Sequence, residues 1–128
     1  MKPSTQDHLD RAKEDLDEAA KILAIGLINV AARCAYFAAF HAAEALIYER
    51  LGKTVKTHNG VRTEFSRIVA GYGEPARPLT AFLARAYEYK DISDYGIGRA
   101  TLITGEMAQT AIADGVGFVN LVTHWLAE

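Results

Sequence analysis

The segment NVAARCAYFAAFHAAEALIYERL, residues 29–51, is long enough for about six helical turns and contains neither glycine nor proline. With successive residues about 100° apart, small side chains share one arc that would let a second helix approach closely: Ala31, Ala35, Ala38, Ala42, Ala45 and Leu46. The opposite arc mixes charged, aromatic and aliphatic side chains: Asn29, Arg33, Tyr36, Phe40, Glu44, Ile47 and Leu51. A helix that is apolar on nearly every side is typical of a bundle centre, so its polar groups need partners there.

The composition is that of an ordinary globular chain. With 128 residues, half of them apolar and 23% charged, the chain fits one domain with a real hydrophobic core. The net charge of −2 argues against nucleic-acid binding through overall charge alone, although it leaves room for a local basic patch. The single cysteine, Cys34, excludes an internal disulfide, and its place among alanines favours a small buried side chain over a reactive thiol.

The sequence predicts a cytoplasmic protein that does not associate with a membrane. Its first residues, MKPSTQDHLDRAKEDLDE, carry charges where a signal peptide needs an apolar stretch. The longest apolar runs are interrupted by Arg33, His41 and Glu44, which a clean membrane span would not tolerate.

Apolar residues recur with helical spacing along the whole chain, and no stretch alternates as a strand would. The pattern predicts an all-α protein, a single domain over residues 1–128 that forms a four- to five-helix up-and-down bundle. The residues that mark the expected helix ends are Pro3 with Ser4 or Thr5 as N-cap, Gly26, Gly52, Pro78, and Thr101 or Thr104.

A polar cluster is expected inside or at the rim of the bundle. Lys90 and Asp94 are four residues apart and continue an apolar stripe, so both side chains should lean toward the core. Arg33 and Glu44 from the central helix and Asp114 from the last helix are candidates to join them. Such a cluster marks either a binding site or an ion-pair network that only fixes the helix register.

Two histidines are further candidates. His58 follows Lys56 at the start of a helix, where backbone amides together with Lys53 would suit a phosphate; the alternative is an ordinary capped loop. His41 suits an interior or interface position better than acid–base chemistry. With Glu44 it resembles half of a bundle metal site, but no second pair with that spacing occurs within the helices, so no metal is expected.

Three stretches carry a family resemblance. Residues 32–52, ARCAYFAAFHAAEALIYERLG, are similar to the pattern R-x-YYA-x-F-x-AA-x-ALL. Residues 56–61, KTHNGV, are similar to KTHSGV, and residues 89–96, YKDISDYG, are similar to R-x-x-A-D-Y. These patterns, in this order, are those of the HEPN domain family (higher eukaryotes and prokaryotes nucleotide-binding), which the chain resembles over most of its length.

The resemblance implies a compact helical bundle that forms a homodimer. Many HEPN proteins are toxin components encoded beside a minimal nucleotidyltransferase. Active members are metal-independent ribonucleases that depend on an R-x(4–6)-H motif at the dimer cleft. The resemblance therefore implies a nucleotidyltransferase partner and a nucleotide or RNA ligand, with no metal or other cofactor.

The R-x(4–6)-H motif is not present in this sequence. Residues 90–92, which stand at the histidine positions after Arg85, are KDI, and no other arginine precedes a histidine at that spacing. Lys90 also replaces the arginine of R-x-x-A-D-Y, while Asp94 and Tyr95 match. Loss of the histidine removes a general acid–base group for phosphodiester cleavage, and lysine lacks the planar fork with which arginine binds phosphate.

The sequence thus predicts a toxin-type or nucleotide- or RNA-binding subunit. Its candidate ligand-binding residues are Lys90, Asp94, Tyr95, Arg33, Glu44 and His58. A second interpretation is a weak metal-independent ribonuclease, with Lys90, Asp94 and either His58 or His41 as candidate catalytic residues. A third is a structural interaction bundle whose polar stripe only sets the helix register.

Overall fold

The alanine-rich segment forms the helix around which the other helices pack. The computed structural model describes residues 1–96 and 103–128, and within these ranges the chain forms five α-helices and no β-strand. They are α1 (Pro3–Ala24), α2 (Ile28–Leu51), α3 (His58–Val69), α4 (Arg77–Tyr95) and α5 (Gly105–Ala127), with 3-10 turns at Ala70–Tyr72 and Glu74–Ala76. The prediction of an all-α bundle is confirmed.

Helix α2 is the centre of this bundle, as its sequence predicts. It packs against α1, α3, α4 and α5, and half of its 24 residues are buried. The small-residue arc is entirely inaccessible to solvent: Ala31, Ala35, Ala38, Ala42, Ala45 and Leu46. Because an alanine side chain is so short, this arc lets neighbouring helix backbones come close to α2.

In the described part of the chain, α2 alone is long and apolar enough to cross a membrane by length and composition. However, 67% of the apolar window is buried inside the bundle. Packing against four neighbouring helices accounts for an apolar composition of this kind.

Glycines bound α2 at both ends. Gly26 and Gly52 have φ angles of 86° and 69°, a region that other residues rarely adopt, and so they allow the chain to turn there. Helix α5 begins after Thr104, whose side chain accepts a hydrogen bond from the Met107 backbone N–H. The alternative cap, Thr101, lies outside the described residues.

The predicted N-cap of α1 is wrong. Pro3 already belongs to the first turn, and Lys2 holds the cap position without a capping side-chain bond. Thr5 is buried instead, and its hydroxyl donates to Glu49 Oε1 of α2 at 2.9 Å. The same carboxylate oxygen accepts the Lys2 backbone N–H at 2.9 Å, so α2 fixes the start of α1.

Helix α5 lies close to α1 and α2 at Gly115. A Cβ at this position would lie 3.1 Å from Leu16 Cδ2 and 3.5 Å from the Ala35 carbonyl oxygen. Around Gly117, no described atom outside its own helix lies within 4 Å of the place where a Cβ would stand. Helix α5 runs without a break through both glycines, so the close approach occurs within a continuous helix.

These two glycines predict mutational effects of opposite sign. Gly115→Leu should lower the free energy of unfolding by about 1–3 kcal/mol, because the added side chain would overpack the α1–α2–α5 contact. The matched control Gly117→Ala should raise it by about 0.5–1 kcal/mol, because alanine stabilises an exposed helical position without a clash. Urea unfolding followed by circular dichroism measures both, and equal effects of the two changes would contradict the close approach.

Candidate functional site

An ion-pair network joins the end of α4 to the start of α2. The Arg33 Nε donates to Asp94 Oδ1 at 2.7 Å, and the Lys90 Nζ lies 3.3 Å from Asp94 Oδ2. The sequence predicted that Lys90 and Asp94 lean inward from neighbouring turns of α4, and their side chains are 13% and 24% exposed. Asp94 thus holds two cations, one from each helix, at the rim of the bundle.

This network keeps its members charged. Burial opposes the charge on Lys90, but the hydrogen bond and the negative charge of Asp94 outweigh it and raise the pKa of the ammonium. Burial also opposes the charge on Asp94, and the hydrogen bonds from Arg33 and Lys90 outweigh it, so the pKa of the carboxyl is lowered.

His58 lies beside the network in a cluster of aromatic rings. A hydrogen bond of 2.6 Å joins its Nδ1 to the hydroxyl of the fully buried Tyr36, and its ring centroid is 4.6 Å from that of Phe40. Burial and the nearby charges of Lys90 and Arg62 lower the pKa of His58, which favours the neutral imidazole near pH 7. Burial raises the pKa of the Tyr36 hydroxyl, so this group stays protonated.

Two cations lie over the rings of α4. The guanidinium carbon of Arg62 is 4.5 Å from the Tyr87 ring centroid, and Lys90 Nζ is 5.8 Å from the same ring. Lys90 Nζ also lies 5.3 Å from the ring of Tyr95, which is 70% exposed. These contacts join one continuous set of residues, which we call the Lys90 surface: Arg33, His58, Arg62, Tyr87, Lys90, Asp94 and Tyr95.

The structure does not place every predicted site residue on this surface. Asp114 lies between α4 and α5, where its Oδ2 accepts from Arg85 at 3.1 Å. Glu44 Oε1 is 2.7 Å from His41 Nδ1 and 3.9 Å from Nδ1 of His8 on α1. The prediction of one cluster of five charged residues is therefore wrong for Asp114 and Glu44. Both lie on parts of their helices that face other partners.

The predicted phosphate site at the start of α3 takes a different form. Thr57 caps the helix by accepting from the Gly60 N–H at 2.9 Å, which is the ordinary capped loop that the sequence left open. The His58 ring turns away from the cap toward Tyr36. Lys53 and Lys56 are both exposed.

Sequence reasoning missed Arg62 and Tyr87. The only signals for them were spacings, since Arg62 is four residues after His58 on α3 and Tyr87 is three residues before Lys90 on α4. Cys34 was predicted to be a small buried side chain; it is only half-buried, and burial raises the pKa of its thiol, which disfavours the reactive thiolate.

The arrangement combines cationic groups with ring faces. Ammonium and guanidinium groups attract phosphate, whereas exposed tyrosine rings offer faces on which nucleobases stack. A neutral imidazole next to a lysine also has the form of an acid–base pair, although Tyr36 occupies one of its two nitrogens.

Comparison with known proteins places the chain in a family. A profile of the HEPN domain family matches residues 5–125. The chain belongs to the HEPN domain family. This HEPN domain is 31% identical, over the full length of both chains, to a UPF0332 protein of Gloeobacter violaceus. It is also 31% identical over 86 residues to a UPF0332 protein of Thermotoga maritima, a match that covers 67% of this chain and 64% of the relative.

Arg85 is the arginine after which this sequence has Lys90, Asp91 and Ile92 in place of the histidine of R-x(4–6)-H. The Arg85 guanidinium lies over the Phe82 ring at 5.4 Å and pairs with Asp114, so it faces α5. Lys90, five residues later, pairs with Asp94, which also binds Arg33 of α2. Lys90 also lies near the Tyr87 ring, which Arg62 of α3 contacts. The two residues therefore belong to different sides of α4.

Proposed function

We propose that this HEPN domain binds a nucleotide or a single-stranded RNA through the Lys90 surface. The observation that carries the proposal is the position of the Lys90 ammonium, which lies within 6 Å of the rings of both Tyr87 and Tyr95. Its ion pair with Asp94 keeps it charged. A phosphate would interact with this cation, and a base would stack on the exposed Tyr95 ring. The net charge of −2 makes such a local site, rather than the overall charge, the basis of binding.

Lys90→Ala should weaken the binding of a fluorescent RNA oligonucleotide. Loss of one phosphate contact should also reduce the slope of log K against log salt by about 0.7. The measurement is fluorescence anisotropy over a series of salt concentrations. Arg85→Ala is the matched control, because it removes one positive charge and an ion pair from the other side of α4.

Three results would contradict this proposal. The first is that the wild-type chain binds neither the oligonucleotide nor a nucleoside triphosphate. The second is that Lys90→Ala and Arg85→Ala weaken binding equally, since binding would then follow total charge. The third is that Lys90→Ala lowers the melting temperature but leaves RNA binding unchanged, since the network would then only fix the helix register.

A ribonuclease is the second candidate, favoured by the position of the His58 ring, which lies 5.3 Å from the Tyr87 ring that Lys90 also contacts. A gel distinguishes cleavage from binding after the same RNA has been incubated with the protein in excess chelator. Products that disappear with His58→Asn while the variant keeps its helical circular dichroism would establish this activity. Intact RNA with the wild-type chain would reject it.

We extend the proposal to the partners: a homodimer of the toxin type that associates with a minimal nucleotidyltransferase. It is supported by the resemblance of residues 32–52, 56–61 and 89–96 to such proteins, and by the exposure of Tyr95 in the last of these stretches. Co-expression with a nucleotidyltransferase encoded beside this chain, followed by sedimentation, tests it. A complex with two copies of the chain is expected, and a monomer that does not bind the enzyme would contradict it.

A further inference from the structure

Asp15 of α1 is a buried carboxylate with an unused oxygen. The residue is 3% exposed, and its Oδ1 lies 3.3 Å from Arg11 Nε. Its Oδ2 has no hydrogen-bond partner within the described ranges, and it lies 3.7 Å from His41 Nε2 of α2. A buried carboxylate oxygen needs a donor, and His41 Nε2 can supply one when that nitrogen carries the proton.

The other side of the His41 ring faces two further ligand-type side chains. His41 Nδ1 is 2.7 Å from Glu44 Oε1, and the same oxygen is 3.9 Å from Nδ1 of His8 on α1. One ligand atom from each of the three side chains lies within 4.8 Å of the other two. The three side chains are 18–25% exposed, so an ion can reach them from solvent.

We propose that His8, His41 and Glu44 bind a divalent cation of the zinc type, with Asp15 holding the His41 ring in its ligating orientation. The sequence pattern contained only half of this site, because His41 and Glu44 lie on one helix and the second histidine comes from α1. Two imidazoles and a carboxylate are a ligand set that suits Zn²⁺ and leaves a fourth position for water.

The separations fit such an ion after small side-chain movements. In a tetrahedral site with bonds of about 2.0–2.2 Å, ligand atoms lie about 3.3–3.5 Å apart. The longest separation, at most 4.8 Å, must shorten by little more than 1 Å, roughly what rotation of two partly exposed side chains supplies. The shortest, 2.7 Å, must lengthen, because an ion would replace the His41–Glu44 hydrogen bond.

Asp15 is the feature that separates this cluster from an ordinary pair of polar side chains. A histidine that binds a metal through one nitrogen usually donates its other N–H to a carboxylate, which fixes the ring and its tautomer. Asp15 Oδ2 lies opposite His41 Nε2, where that acceptor belongs. Within residues 1–96 and 103–128, His124 pairs with no carboxylate other than Glu128, and both of these side chains are more than half exposed.

The experiment uses the untagged full chain, freed of metal with a chelator and titrated with Zn²⁺ in a calorimeter. We expect saturation at one ion per chain with release of protons, and a higher melting temperature in the presence of the ion. Asp15→Asn should weaken Zn²⁺ binding by about 10–100-fold, the effect of losing an outer partner of a ligating histidine. His8→Gln removes a ligand itself, so it should weaken Zn²⁺ binding by more than Asp15→Asn does.

His124→Gln is the matched control and should bind Zn²⁺ as the wild-type chain does. Glu44→Gln serves as a second ligand variant if His8→Gln does not keep its helical circular dichroism. Bound Co²⁺ reports on Asp15 separately, because its visible absorption should indicate tetrahedral coordination in the wild-type chain and change in Asp15→Asn. Absence of saturable binding, or equal affinity in His8→Gln and His124→Gln, would overturn the site, and an unchanged affinity and Co²⁺ spectrum in Asp15→Asn would overturn the role of Asp15.

Discussion

Replacing Phe118 with alanine should lower the free energy of unfolding by about 3–5 kcal/mol. Phe118 is 1% exposed and stacks on Phe65 of α3, with ring centroids 5.1 Å apart, while Phe82 of α4 is 6.4 Å away. The ring therefore brings α3, α4 and α5 together at one point. Its removal would leave a cavity that the three packed helices cannot close. The free-energy cost of this cavity adds to the cost of losing buried apolar area.

Urea unfolding of Phe118→Ala and of a control variant measures this effect. Val116→Ala is the control, since Val116 is on the same helix and 41% exposed, and its free energy of unfolding should stay within about 0.5 kcal/mol of wild type. A loss below about 1 kcal/mol for Phe118→Ala would mean that the three helices do not meet on this ring.

The second large effect is expected at Tyr36. Tyr36→Ala should also cost about 3–5 kcal/mol, because the side chain is fully buried among Phe37, Phe40 and Tyr87. Tyr36→Phe keeps the ring and removes only the hydrogen bond to His58, so it should cost about 0.5–1.5 kcal/mol. The difference between the two variants separates the packing of this ring from its polar contact.

The two Tyr36 variants also bear on the Lys90 surface. Thermal or urea unfolding gives the stability of each, and a nuclear magnetic resonance titration of His58 gives its pKa. In Tyr36→Phe the His58 ring loses its hydrogen bond but keeps its burial and its cationic neighbours, so its pKa should stay below the usual range of histidine. Equal stability losses in Tyr36→Ala and Tyr36→Phe would contradict the packing account.

The fold could be predicted largely from local chemistry. The apolar character of α2 indicates its central place, because no single face of it could be left in water. Gly26, Gly52 and Pro78 marked helix boundaries through constraints that act within a few residues. The cap of α1 could not be predicted in this way, because the Thr5 hydroxyl donates a hydrogen bond to Glu49, a residue distant in sequence.

The candidate site was predictable only where its residues share a helix or a motif. Lys90 and Asp94 pair within α4, and Arg33 was a candidate because it lies on the arc of charged and aromatic residues of α2. The pairing of Asp114 with Arg85 depends on how α4 and α5 are rotated about their axes, which the sequence pattern leaves open. His8 and Asp15 meet His41 through the register between α1 and α2, a tertiary property that a single chain's periodicity does not contain.

The central position of α2 has a consequence for how the protein opens. Each neighbouring helix covers part of the apolar surface of α2, so detaching any of them exposes that part of α2 to water. Partly opened states are therefore costly, and the amide hydrogens in the middle of α2 should exchange with solvent deuterium only when the entire chain unfolds. We therefore expect the chain to unfold in one cooperative step.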